Sequence, residues 1–164
     1  DDEPAELADV REPCADRNPL RNLYFGDLHV HTAYSFDAWI NDIRVDPAGA
    51  YRLARGEEVD GRKLARPLDF AAVTDHAEFL AEVEGCTTPG SAVYDTTRCA
   101  DFRAATPSAL VGFGLRLDDE TPARFSDLCG PGALDCPARA GAVWARVQEA
   151  AEAAYDRSAA CRFT

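Results

Sequence analysis

The pattern that most restricts the fold of this chain is a pair of short apolar runs with one helical stretch between them. Leu23 to His31 and Leu68 to Thr74 both read as strands, nearly uniformly apolar, as strands buried on both faces are. Between them Asp46-Pro47 supplies an N-cap and a proline for the first helical position, and the helix so opened runs to about Arg55 and stops at Gly56. Strand, helix, strand of this kind makes a parallel βαβ unit. Its right-handed crossover sets the two strand ends side by side.

Both strands end in histidine. In Asp27-Leu28-His29-Val30-His31 the two imidazoles are one residue apart, so on a strand they point to one face. The second strand is followed by Asp75-His76, and these three are the only histidines in the chain. The crossover therefore predicts that His29, His31 and His76 converge, although 45 residues separate His31 from His76. Imidazole is the commonest biological metal ligand, and carboxylates complete sites for zinc, manganese or iron. In βα barrels chemistry sits at this end of the strands. The rival reading is three structural histidines held by hydrogen bonds, the ordinary fate of a lone histidine beside a strand.

At 164 residues the chain fits one domain and can bury a core. Its net charge of −12, from 29 acids against 17 bases, opposes a broad nucleic-acid or anionic-membrane surface. No apolar run approaches the length of a membrane span. The first residues, Asp-Asp-Glu-Pro, look like a mature end from which a signal peptide has been removed. Six cysteines (14, 86, 99, 129, 136 and 161) show no Cys-x-x-Cys spacing, and several lie in Gly/Pro-rich sequence. An even number of loop cysteines argues for disulfides and a periplasmic or secreted protein. The expected pairs are Cys86 with Cys99 and Cys129 with Cys136, leaving Cys14 and Cys161. Free buried thiols in a cytosolic enzyme are the competing reading.

Residues 1–20 read as an irregular acidic arm. Residues 32–45 read as a long functional loop with Tyr34, Ser35, Phe36, Asp37 and Trp39, the aromatics there more consistent with packing than with a substrate pocket. A helical segment begins near Glu78, and 85–101 reads as a cysteine-bearing loop. Thr106-Pro107 and Thr121-Pro122 each predict a short helix, to about 115 and 128. The strongest helical pattern runs from Pro137 to about Asp156, with Val143, Trp144, Val147, Ala150, Ala151 and Ala154 on one stripe as core packing. Cys161-Arg162-Phe163-Thr164 resembles the start of a third strand.

Asp27-Leu28-His29-Val30-His31-Thr32, joined to Ser35-Phe36-Asp37 and Thr74-Asp75-His76, resembles the PHP (polymerase and histidinol phosphatase) domain. Asn18-Pro19-Leu20-Arg21-Asn22, Tyr24-Phe25-Gly26-Asp27 and Arg66-Pro67-Leu68-Asp69-Phe70 are similar, more closely, to the PHP-like group catalogued as domain of unknown function 3604, from about residue 14 onward. The resemblance implies an α/β fold, the N-terminal part of a distorted, TIM-like (βα)7 barrel with helical and disulfide-bearing insertions. Residues 21–164 would then hold the first two βα units, an insertion over about 85–136 and the start of the third strand. It implies two or three divalent metal ions (zinc, manganese or iron) in the complete barrel. His29 and His31 would be ligands, Asp37 and His76 would hold a separate metal, and Asp27 and Asp75 would orient the neighbouring imidazoles as catalytic-site groups. The family's later ligands, a glutamate, further histidines and an aspartate, find no counterpart here, so the remaining C-terminal part of the barrel is an expected partner.

The expected function is that of the N-terminal portion of a metal-dependent hydrolase, a phosphoesterase acting on a small-molecule substrate with metal-activated water. Phosphate enters only through the resemblance, because the residues include no glycine-rich phosphate cradle. Two alternatives stay open. One is an amide or lactone hydrolase of the amidohydrolase type, which also begins with His-x-His on its first strand. The other is a non-catalytic secreted metal-binding or interaction module. Neither a Gly-x-Ser-x-Gly elbow nor any local signal makes Ser35 a nucleophile.

Overall fold

A computed structural model describes residues 13–15 and 18–163. Most of the expected N-terminal arm, and Thr164, lie outside the described residues. The elements are β1 (Gly26–Val30), α1 (Phe36–Ile40), α2 (Pro47–Ala54), β2 (Phe70–Val73), α3 (Leu80–Thr87), α4 (Thr97–Arg103), α5 (Pro107–Leu117) and α6 (Cys136–Ala154), with a 3₁₀ turn at Ala77–Phe79 between β2 and α3. β1 and β2 pair in parallel, as the βαβ reading requires. Both strands are shorter than the apolar runs that announced them.

Gly26 lets β1 lie this close to β2, since a Cβ there would run into the carbonyl and ring of Phe70. Gly26 pairs with Phe70 and Asp27 with Ala71, but the next partners are Val30 and Val73. β1 therefore takes three steps where β2 takes two. This bulge falls at Leu28 and His29, so it re-aims the first histidine and the residue before it. Asp46 caps α2 by accepting from Gly49 N at 2.7 Å, and Gly56 leaves the helix end with φ of 86°.

Two apolar clusters hold the molecule together. Tyr51, Ala54, Ala154 and Phe163 pack with Leu68, Ala71 and Val73, which joins the sheet to α2 and α6. The larger cluster centres on Phe113, whose ring lies 4.9 Å from Phe79, 5.0 Å from Phe102 and 4.8 Å from Phe125. α6 packs against both α2 and α3 and so bridges the two clusters. Disulfides join Cys14 to Cys161, Cys86 to Cys99 and Cys129 to Cys136, the expected pairing with the two remaining cysteines joined.

Several local expectations change. The loop after β1 contains α1, and the cysteine-rich stretch 85–101 is loop over 88–96, with its two ends in α3 and α4. Thr121-Pro122 opens no helix. Its amide is taken by the Asp119 carboxylate at 3.1 Å, and burial of Phe125 and Leu128 pins the following residues in an irregular path. On α6, Val143, Val147 and Ala154 are buried, but Trp144 is 52% exposed, at the edge of the apolar stripe. Residues 161–163 form no strand. Cys161 has φ of 45°, Asp156 binds the amides of Ser158 and Arg162, and Phe163 turns its ring onto Tyr51. That turn closes the second cluster.

Candidate metal centre

β1 and β2 end side by side, and the residues just beyond them interlock. Asp75 accepts from Thr32 twice, from the amide at 2.5 Å and from the hydroxyl at 2.7 Å. The buried Ser35 hydroxyl donates to Asp37 Oδ1 at 2.6 Å and accepts from the His76 amide at 3.0 Å. Ser35 occupies the N-cap position of α1, yet its hydroxyl goes to a carboxylate rather than to the helix. Three of these hydrogen bonds fasten the loop after β1 to the loop after β2, and the fourth, Ser35 to Asp37, ties that clasp to a carboxylate. They also fix where the histidines stand.

His31, Asp37 and His76 come together. Each offers one ligand atom, and these atoms lie within 4.8 Å of one another. His31 Nδ1 is 2.9 Å from Asp37 Oδ2, and His76 Nε2 is 3.6 Å from the same oxygen. Bonds of 2.0–2.1 Å in a tetrahedral zinc site place neighbouring ligand atoms about 3.3 Å apart. The two separations from Asp37 bracket that value, and all three ligand atoms lie within 4.8 Å, so the donor set matches a small divalent cation once the side chains close on it. Two imidazoles and a carboxylate also match the donor preferences of zinc, manganese and iron.

His29 stands beside this group rather than within it. Its ring stacks on that of His31 with centroids 4.7 Å apart, while the His76 ring meets His31 edge-on at 4.9 Å. All three imidazoles therefore converge, as the crossover predicted. Phe36 borders the cluster, 5.0 Å from the His76 ring.

The carboxylates differ in their surroundings. Partial burial works to raise the pKa of Asp37, but hydrogen bonds from Ser35, His31 and the Ala38 amide outweigh it and hold the group below the ordinary aspartate value. An ionised carboxylate next to two imidazoles is what a cation site requires. At Asp75 the balance reverses: burial dominates the bonds from Thr32 and the pKa is raised. The Asp75 oxygens are engaged by Thr32, and Asp27 accepts from the His29 amide at 2.9 Å while lining an apolar cavity of about 180 Å³ with Tyr51, Leu68 and Val73. These hydrogen bonds let the two aspartates shape the backbone that carries the histidines.

Sequence reasoning quoted Thr32 and Ser35 within the motifs but gave neither them nor Glu78 a role in the site. Glu78 Oε2 lies 3.5 Å from His76 Nδ1. Ser35 had a signal, a Ser-x-Asp pair at a helix start, hidden because α1 was read as loop. Thr32 had none, since its partner Asp75 is 43 residues away. Trp39 packs in the core against Phe102 with centroids 6.3 Å apart, in keeping with the packing expectation.

A family model described as "Protein of unknown function (DUF3604)" matches residues 18–164. No curated protein and no solved structure matches the chain.

Proposed function

Taking as its starting point that the chain belongs to the DUF3604 family of proteins of unknown function, we propose that it carries part of the active site of a metal-dependent hydrolase acting on phosphate esters. The observation that carries this reading is the meeting of His31, Asp37 and His76 at the ends of two parallel strands far apart in sequence. Phosphate as the substrate class rests on the likeness to PHP domains. The likeness also leads us to propose that β1 and β2 open a (βα)7 barrel. An apolar, exposed face supports this, with Leu23 at 78% and Leu28 at 66% exposure on and beside β1.

A bound divalent ion would supply a water of lowered pKa and a Lewis acid for the phosphoryl oxygens. His31 and His76 would hold it through nitrogens already turned toward Asp37, and Asp37 would neutralise part of its charge. Ser35 keeps the Asp37 carboxylate in place through Oδ1 and leaves Oδ2 for the ion. Thr32 and Asp75 hold the strand ends together so that ligands from separate strands do not drift apart. His29, exposed beside His31, is placed to ligate a second ion or to pass a proton to solvent.

Three disulfides support an oxidising compartment, periplasmic or extracellular, and among the described residues no helix is long and apolar enough to cross a membrane. The test is hydrolysis of p-nitrophenyl phosphate against amide and lactone substrates, with zinc, manganese or iron added after chelator treatment. Metal-dependent release of phosphate, abolished in His31→Ala, is expected. Metal-dependent turnover of the amide or lactone alone would move the protein to the amidohydrolase type. Metal uptake without turnover of any substrate would favour a binding module.

A further inference from the structure

His76 is approached from three sides. Its amide donates to Ser35 Oγ, its Nε2 faces Asp37, and its Nδ1 faces Glu78 Oε2 at 3.5 Å. A histidine that offers one ring nitrogen to a cation must carry its proton on the other. Which nitrogen does so is set by the partner of the second one. The aspartates next to the histidines in sequence are engaged elsewhere, Asp75 by Thr32 and Asp27 by the His29 amide. Glu78 is the carboxylate that faces the outer nitrogen of His76.

The backbone under Glu78 is well anchored. It sits in the middle of the 3₁₀ turn Ala77–Phe79, and the next residue, Phe79, is buried against Phe36, Phe113 and Phe125. The Glu78 side chain is half exposed, so it can rotate the short distance that separates 3.5 Å from a formed N–H···O bond without disturbing the core.

We propose that Glu78 is a positioning residue for the metal centre: its carboxylate accepts a hydrogen bond from the Nδ1–H of His76, and this leaves the Nε2 lone pair aimed at Asp37 and the ion. The proposal rests on the metal-site reading above. It assigns to Glu78 the orienting role that the PHP resemblance implied for the neighbouring Asp75. Nothing is transferred covalently; the proton stays on Nδ1 and the glutamate fixes which tautomer exists.

The experiment compares the wild-type protein with Glu78→Ala and Glu78→Gln by two readouts. The first is the ¹⁵N spectrum of the His76 ring in metal-free protein, which reports the tautomer directly. The second is zinc affinity by competition with a chromophoric chelator. The expected result is the Nδ1–H tautomer in wild type and in Glu78→Gln, whose amide oxygen still accepts the bond. Glu78→Ala should populate the Nε2–H form and bind zinc about ten- to a hundredfold more weakly. Equal tautomers and equal affinities in all three proteins would overturn the proposal and leave the metal reading standing. A tautomer that follows Glu78 in a protein that takes up no zinc would instead sink the metal reading and leave the coupling of Glu78 to His76 intact.

Discussion

At the scale of single residues the centre depends on a hydroxyl that touches no proposed substrate. Ser35 is buried, and its one oxygen connects the carboxylate of Asp37 with the amide of His76. Replacing it with alanine removes a bond to a charged group and strands a backbone donor, a loss of about 2–3 kcal/mol by the usual values for such bonds. Ser35→Ala should therefore unfold at lower urea concentration and bind zinc more weakly, while Ser35→Thr should recover part of both. A Ser35→Ala protein as stable as wild type would show that the clasp contributes little. The histidines themselves were legible in the sequence, because alternation on a strand and crossover handedness are local rules. The clasp was not, because Thr32 with Asp75 and Ser35 with His76 are contacts across more than 40 residues.

Among the elements, α3 carries an unusual side chain. Glu82, in its first turn, is fully buried and accepts from Arg124 at 2.8 Å, with the Cys129 sulfur 3.3 Å away. Burial raises its pKa against the opposing pull of its own amide and of Arg124. The folded state then holds its proton more tightly than the unfolded state. Its contribution to stability is complete below the unfolded value of 4.5 and is lost as pH rises through the raised folded value. Wild type minus Glu82→Gln stability, followed by urea denaturation from pH 4 upward, should fall with rising pH; a difference that stays flat or grows would contradict the burial argument. Helix ends were well marked in sequence where a capping residue met proline, as at Asp46-Pro47 and Thr106-Pro107. Thr121-Pro122 bears the same mark without a helix, since the path there is decided by where Phe125 and Leu128 must go. Capping chemistry permits a helix; burial decides whether one forms.

For the whole molecule, two apolar clusters bridged by α6 are fastened by three disulfides of very different span. Cys14–Cys161 closes 147 residues, Cys86–Cys99 closes 13 and Cys129–Cys136 closes 7. In the chain-entropy account these correspond to about 5, 3 and 2.5 kcal/mol. Replacing Cys14 and Cys161 with serine should thus lower the melting temperature more than replacing Cys129 and Cys136; the reverse order would mean that local packing, not loop closure, sets these contributions. The short pairs could be read from loop composition and the long pair by remainder, whereas the packing of α6 across both clusters has no one-dimensional signature. Within this scaffold the paired strand ends bring His31, Asp37 and His76 together. The direct test is equilibrium dialysis of chelator-treated protein against zinc or manganese, with bound metal counted by inductively coupled plasma mass spectrometry in wild type and in the His31→Ala/His76→Ala variant. Bound metal in wild type that is lost in the folded double variant is the result predicted here. Equal metal content in the two proteins, or none in either, would contradict a metal centre at these residues and return the histidines to a structural role.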